Sequence, residues 1–396
     1  MVNTKLLEDI LEHVKDKDRN EHSLDIKQTS TALLKRELDV LGIKYAPTVV
    51  NGIRRTKIFD GDLEVRKHRR SYYHNNSMFG MAITTDKFIT EKFLKLSNIP
   101  TSNSILLHEK DIEKARKHIQ DGKKRYVVKP IDLMQGRGVY TDVTTKNLEE
   151  VWHRCFALQK RYKVKNPRVL IQDYIEGYEV RVVVTEGKAM SATIRTPAYV
   201  IGNGHDTIET LIKQKNESRS QNGFFAKKLI KVNRRVTNYL DLQNLSMESV
   251  VEDGKIIVLN PVSNLVNGGE NIVITDLVKK EILKLAEDGV TAIPGCQTAG
   301  VDIILNDLND TEAVILEINS RPAFQLNYFP YIGEPQHPFQ YIFRSFILEK
   351  RVLEDRLDID QMSRDDIQLM AERYKALHKK QKALENVIKN LTRLFK

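Results

Sequence analysis

The chain has 396 residues, of which 41% are hydrophobic and 29% charged; that excludes wholesale disorder and a collagen-like repeat and leaves room for roughly two or three domains. Its two cysteines, Cys155 and Cys296, are too few for a disulfide framework or a thiolate zinc cage and suit a reducing compartment. Lys and Arg total 63 against 53 Asp and Glu, a net charge of +10, which suits nucleic acid, a membrane surface or a polyanionic small ligand, or serves solubility alone.

The opening segment MVNTKLLEDILEHVKDKDRN has no apolar run long enough for a signal sequence. No uninterrupted apolar stretch of about 18 residues occurs anywhere, so the expectation is a cytoplasmic protein with no membrane partner. Leu6, Ile10, Leu11 and Val14 recur at helical spacing, and Leu33, Leu34, Leu38 and Leu41 form a second stripe ended by Gly42. YAPTVV and RTKIF then flank Asn51-Gly52, the dipeptide that best supplies two positive φ angles to a hairpin turn. A second reversal at Asp60-Gly61-Asp62 leads into LEVRK, and a helix is expected from Asp86 to Leu96, ended by Asn98 and Pro100.

A second unit begins near Ser104 with a helix around Ile112 to Ile119, then the apolar strand RYVVKP and at once the loop DLMQGRGVY. A helix around Leu148 to Tyr162 leads to VLIQDYI, a turn at Glu176-Gly177 and the alternating strand EVRVVVTEGKAM. Beyond it come strand-like pieces, a helix near Thr207 to Lys215, and two Gly/Asn-rich segments, VIGNGHDT and NLVNGGEN, that read as mobile loops. VDIIL and AVILEIN, joined by NDLNDTE, form a hairpin in the simplest reading. From Ile367 the positions Met370, Tyr374, Leu377, Gln381, Leu384, Ile388, Leu391 and Phe395 follow at alternating spacings of three and four behind Ser363 as N-cap. This is a heptad seam with one polar interruption, equally readable as a long helix packed on its own domain or as a coiled coil with a second copy.

In the expected hairpin Glu317 and Asn319 share a strand face, and Asp302 at the start of the preceding strand can meet them. Two carboxylates and an amide oxygen make an all-oxygen set suited to Mg²⁺, although two solvated strand-edge acids would have the same sequence. Lys129 ends an apolar strand beside the Gly136-Arg137-Gly138 loop, an arrangement that can clamp a phosphate or be an ordinary tight turn. Gln172, Asp173, Tyr174 and Ile175 offer an apolar linker whose backbone can read an adenine edge, and Glu179 is an acid placed for ribose hydroxyls. Arg181 and Arg195 leave this segment on strands, where buried arginines need anions and exposed ones form ordinary ion pairs.

Taken in order, TTDKFITEKFLKLSNIPTS, YVVKPIDLMQGRGV, VLIQDYIEGYEVRVVV, GVDIIL and VILEINSRPAF resemble the ATP-grasp superfamily. Within it, RTPAYVIGNGHDTIETLIKQKN, NPVSNLVNGGENIVITD and NSRPAFQLNYFPYIGE are most similar to the ATP-grasp portions of bifunctional glutathione synthetase and cyanophycin synthetase, well over about residues 80 to 345 and weakly from 28 to 80. The resemblance implies an α/β (α+β ATP-grasp) fold: an N-terminal domain over 1–85, a lysine and glycine-loop subdomain over 86–170, a lid and metal-site subdomain over 171–350, and a helical tail over 351–396. It implies that Lys87 and Lys129 hold ATP phosphates under the Gly136 to Gly138 loop. Gln172, Asp173, Tyr174, Ile175 and Glu179 would hold the nucleoside, and Asp302, Glu317 and Asn319 two Mg²⁺ ions, with Mn²⁺ as a substitute. Arg195 would lie by the transferred phosphate and Arg181 would be a weaker candidate. Arg321 departs from the family's small or amide residue and could bind a substrate carboxylate. The glutamate–cysteine ligase and Mur-ligase-like halves of those relatives have no counterpart here.

The implied reaction is ATP-dependent carboxylate–amine ligation through an acyl-phosphate, with amino acids or peptides as substrates, and γ-glutamyl transfer as one form. Cys155 reads as a structural helix residue, since no protein nucleophile is needed. An acidic carrier protein is an alternative acceptor, docking on the basic terminal helix. The competing class, a nucleic-acid-binding or scaffold protein, rests on Arg54, Arg55, Lys57, Arg66, Lys67, His68, Arg69 and Arg70 together with Lys375, Lys379, Lys380, Lys382, Lys389, Arg393 and Lys396. Nucleic acid is the less expected partner, because no known module accompanies these charges.

Overall fold

The computed structural model describes residues 4–69, 76–119, 125–133 and 137–394. Four sheets organise it, and every strand pairing within them is antiparallel. Near the N-terminus, helices Lys5–His13 and Ser30–Val40 precede a meander of Tyr45–Val50, Ile53–Asp60 and Leu63–His68. The first reversal is the expected one: Asn51 has φ 50° and Gly52 φ 72°, the two left-handed residues that match a tight hairpin to strand twist. Thr56, Ile58 and His68 are buried, with His68 and Arg66 against Phe346 of helix Pro338–Leu353.

The second sheet runs Ser104–Leu107, Val169–Asp173, Tyr126–Pro130, Tyr140–Val143. Helices Ile112–Ile119 and Leu148–Arg161 supply its cover, and Trp152, Cys155 and Phe156 lie in its core with Val128 and Ile171. Burial drives the Cys155 thiol up to about 12, which leaves it an inert packing group, as expected.

The third sheet, in the order Asn271–Val273, Lys188–Arg195, Tyr178–Thr185, Ala299–Leu305, Val314–Asn319, is the scaffold of the site. Alternation divides its faces. Val180, Val182, Ile194, Val301, Ile303 and Ile318 pack with Ile282, Ala286 and Val290 of helix Lys280–Ala292, while the opposite face carries Glu179, Arg181, Arg195, Asp302 and Glu317. The expected hairpin over VDIIL and AVILEIN forms, with Asp302 opposite Glu317 and Gly300 opposite Asn319.

Two sequence-based expectations change, and one helix carried no expectation. EVRVVVTEGKAM is two strands, because Glu186 and Gly187 adopt φ 54° and 82° and turn the chain back on itself; the polar TEG triplet was a turn signal inside an apolar pattern. NLVNGGEN is an inward-facing segment: Glu270 and Asn271 are fully buried, and the Asn271 amide donates to the carbonyls of Leu326 and Phe329. A helix over Met78–Thr85, capped by Ser77, had no periodic signal because its Gly80 lies against Gly295, where any Cβ would collide with backbone at 2.6 Å.

A small satellite unit is built from strands Tyr199–Ile201 and Ile256–Val258 with helices Ile208–Ser220 and Arg234–Asp241, around its own core of Ile208, Val236, Leu240, Ile257 and Leu259. The chain ends in helix Arg364–Leu394, where the Ser363 hydroxyl accepts from the Asp366 N–H at 3.2 Å, the expected N-cap. No helix among the described residues is long and apolar enough to cross a membrane.

Candidate active site

Asp86 opens the helix Lys87–Leu96 by accepting from the backbone N–H groups of Phe88 and Ile89. This cap places Lys87 on the first turn, with its Nζ 2.8 Å from Glu317 Oε2. Glu91, one turn on along the same helix, is buried; it accepts from the Ser104 N–H at 2.9 Å and from Lys95 at 2.6 Å. Thus one helix joins the edge of the second sheet to the metal-ligand candidates of the third. Sequence reasoning missed Glu91, although its i,i+4 relation to Lys95 was a usable signal.

Lys129 leaves the strand Tyr126–Pro130 and donates to Gln172 Oε1 at 2.7 Å. Burial first, and repulsion from Lys87 second, lower its pKa to about 8. A buried ammonium beside another cation is a site that an anion would relieve. The Gln172 amide in turn donates to Ser102, so the first of the adenine-linker candidates instead orients Lys129. The N–H groups of Asp173 and Tyr174 donate to the carbonyls of Asn103 and Arg125 at 3.1 and 2.9 Å, and Arg125 stacks on the Tyr174 ring at 4.4 Å. These contacts fix the linker between the two sheets, with those two donors used inside the protein.

Across the third sheet Arg181, Asp302 and Glu317 stand in one register row. Arg181 grips Asp302 through both nitrogens of its fork, Nε at 2.7 Å and Nη2 at 2.6 Å, while Arg195 pairs with Glu179 and reaches Asp302 at 3.5 Å. Burial alone would raise the Asp302 pKa, but Arg181, Arg195 and Lys87 outweigh it and hold the carboxyl below its ordinary value. Gly300 makes this grip feasible, since a Cβ there would lie 3.3 and 3.4 Å from Arg181 Cδ and Nε. Carboxylates facing each other across strands repel, and here Arg181 and Lys87 compensate them.

Asp302, Glu317 and Asn319 therefore lie together as an oxygen set that fits Mg²⁺, which typically takes one or two carboxylates and leaves other positions for phosphate. The Asn319 Oδ1 also accepts from the Arg321 N–H at 2.9 Å, turning the chain so that Arg321 is exposed just beyond the set. The expected residues that stand apart are in the glycine loop. Arg137 lies over the Tyr162 ring at 5.3 Å and Gly138, φ 72°, packs against Leu158; Gly136 lies outside the described residues. Asn76, also missed from sequence, donates to the carbonyls of Thr298 and Ser320 at 2.6 and 3.0 Å and so ties together the ends of both hairpin strands.

The basic N-terminal cluster is largely absorbed by the fold. Lys57 and Lys67 each pair with Glu64 at 3.1 Å, and Arg66 covers Phe346; Arg70 lies outside the described residues, as does Lys396.

A family model described as an ATP-grasp domain matches residues 84–324. The chain is 30% identical over 267 residues to the cyanophycin synthetase of Trichormus variabilis, covering 66% of this chain and 29% of that protein. It is 29% identical over 263 residues to the glutathione biosynthesis bifunctional protein of Enterococcus faecalis, covering 64% of this chain and 34% of that protein. The chain thus spans about a third of the length of these curated relatives. The crystal structure of a bifunctional glutathione synthetase from Pasteurella multocida shares the fold, with a TM-score of 0.56 at 22% identity over 81% of this chain and 44% of that one. With the family match extending over more than half of its length, the chain belongs to the ATP-grasp domain family.

Proposed function

We propose that this chain is an ATP-dependent ligase that joins a carboxylate to an amine, with amino acids or peptides as substrates. The observation that carries the reading is the convergence of Lys87 and Lys129 from one side of the cleft on the row Arg181, Asp302, Glu317 from the other. Such a site has cations for a polyphosphate and oxygens for a divalent ion, and among the described residues it contains no nucleophile poised by a base. The two halves divide at 173/174 rather than at the expected 170/171, because strand Val169–Asp173 belongs wholly to the second sheet; 86–173 and 174–350 are then the two sides, with 1–85 and 351–396 as flanking units and the chain passing between sheets at 174–177.

In this reading Lys129 and Lys87 bind the ATP phosphates, and Gln172 holds the Lys129 ammonium in place. The Arg137 and Gly138 segment closes over them. Ile175 and Tyr174 border the adenine, and Glu179 accepts from ribose once Arg195 turns to the γ-phosphate. The substrate carboxylate attacks that phosphate to give an acyl-phosphate and ADP, and the amine then displaces phosphate to form the amide. Arg195 and Arg181 stabilise the charge on the transferred phosphoryl group, and the catalysis is positioning and electrostatics. Asp302, Glu317 and Asn319 would hold Mg²⁺, which when bound supplies neutralisation of the phosphate oxygens. Arg321, exposed at the end of this row, is our candidate for a substrate carboxylate, where its fork can bind two oxygens.

The test is ADP release and product mass with ATP, Mg²⁺ and a panel of amino acids and short peptides. Substrate-dependent ADP release with a product lighter than its parts by one water is expected; no dependence on any member of the panel would sink the reading.

A further inference from the structure

The terminal helix Arg364–Leu394 carries two stripes, and the body of the protein covers one of them. Leu369 and Val387 are buried, at 1% and 6% exposed. Between them Arg373 reaches Glu186 at 3.7 Å, Ala376 lies on Gly187, and Lys380 donates to the Cys296 carbonyl; beyond them Asn390 donates to the Leu96 carbonyl at 2.6 Å. These positions are spaced by three, four or seven residues and so fall on one stripe of the helix, which is spent on the chain's own fold.

The apolar seam seen in the sequence lies roughly a third of a turn further round the helix. Ile367, Tyr374, Leu377, Ile388 and Leu391 are 53%, 69%, 52%, 62% and 40% exposed. Exposed large apolar side chains along one stripe of a 31-residue helix, interrupted at Gln381, differ from the scattered single residues normal on a surface.

We infer that this seam is the interface of a homodimer, in which the helix pairs antiparallel with the same helix of a second copy. The seam is self-matching in that direction: with Leu377 opposite Gln381, Tyr374 falls opposite Leu384, Met370 opposite Ile388 and Ile367 opposite Leu391. Charge selects the same direction. The first turns carry Asp365 and Asp366, which also pair with Arg344 at 3.0 and 3.9 Å, and the last carry Lys389 and Arg393; antiparallel pairing in this register sets Asp365 level with Arg393, whereas parallel pairing stacks Lys389 and Arg393 on their own copies. The partner is a second copy of this chain, and the inference is independent of the ligase reading.

Light scattering on the full chain should give twice the 45.7 kDa chain mass. The double variant Leu377→Glu, Ile388→Glu should run as a monomer that keeps the parent's far-UV circular dichroism and unfolds in urea at a midpoint that no longer depends on protein concentration. For direction, single variants Leu377→Cys and Gln381→Cys, one with a mass tag, are mixed and oxidised; the native Cys155 and Cys296 are buried. Antiparallel pairing gives the mixed disulfide, while parallel pairing cross-links each variant to itself. A monomeric full chain, a dimer that survives the double glutamate variant, or self-cross-linking alone would overturn the proposal.

Discussion

Two charge clusters in this protein use the same residue types to opposite ends. Around Glu270 everything is sealed: Glu270 and Arg219 are fully buried, and Lys215, Arg219 and Tyr199 bond the carboxylate at 2.8, 3.4 and 2.6 Å. Arg219 also donates to the carbonyls of Lys228 and Gly269 at 2.6 and 3.1 Å. Burial alone would raise the Glu270 pKa, yet Lys215 and Arg219 hold it down. Around Asp302 the ions are equally close but the cluster is open on one side, with Lys87 26% and Glu317 32% exposed and Arg321 in solvent. A sealed cluster fixes structure, since its groups have no other partner to turn to. An open one can trade protein cations for a ligand's charges, which is what a site for ATP and a divalent ion requires.

The contrast can be broken most sharply at the open cluster. Asp302→Ala and Glu317→Ala should each cut turnover by about 10²–10³-fold or more while far-UV circular dichroism and the urea transition stay near the parent's; near-normal activity in both would remove the metal assignment. At the sealed cluster Glu270→Gln should do the reverse, leaving Lys215 and Arg219 without their carboxylate and costing about 3–5 kcal/mol in urea unfolding. A loss below about 1 kcal/mol would mean that the cluster is wetter than its burial implies.

Smaller effects sharpen the distinction. If Arg181 occupies Asp302 until a metal enters, Arg181→Gln should bind Mn²⁺ about tenfold more tightly without nucleotide, a difference of about 1.4 kcal/mol, measured by electron paramagnetic resonance titration. Equal or weaker binding would make Arg181 a support for Asp302 rather than its placeholder. Lys129 should give the mildest signature. Its ammonium loses its proton as pH rises through about 8, and a bound triphosphate favours the charged form, so nucleotide affinity should fall above that pH. Lys129→Arg keeps its charge and should flatten the profile; an unchanged slope would place the titrating group elsewhere.

Much of the local structure was legible because it obeys short-range rules. Asn51-Gly52 turned as its φ preferences require, Asp86 and Ser363 capped their helices, and VDIIL with AVILEIN paired as a hairpin. Glu186-Gly187 escaped notice because it interrupts a strand pattern for only two residues. The helix Met78–Thr85 escaped because its glycine contact with Gly295 is a tertiary fact with no periodic trace.

The sequence by itself determined which residue types could serve a triphosphate and a hard cation, and the strand alternation that puts Glu317 and Asn319 on one face. Only the tertiary structure decided that Arg181 lies in register with Asp302, that Gln172 orients Lys129, that Glu91 ties its helix to the second sheet, and that Asn76 ties the ends of the hairpin strands. It also decided which stripe of the terminal helix meets the body, since both stripes repeat in steps of three and four. The physical reason is the same throughout: periodicity and capping act within a few residues, whereas register across strands and the pairing of distant charges depend on how separate segments pack. The +10 surplus follows that division, with its count readable from the chain and its division between cleft, sealed cluster and surface set by the fold.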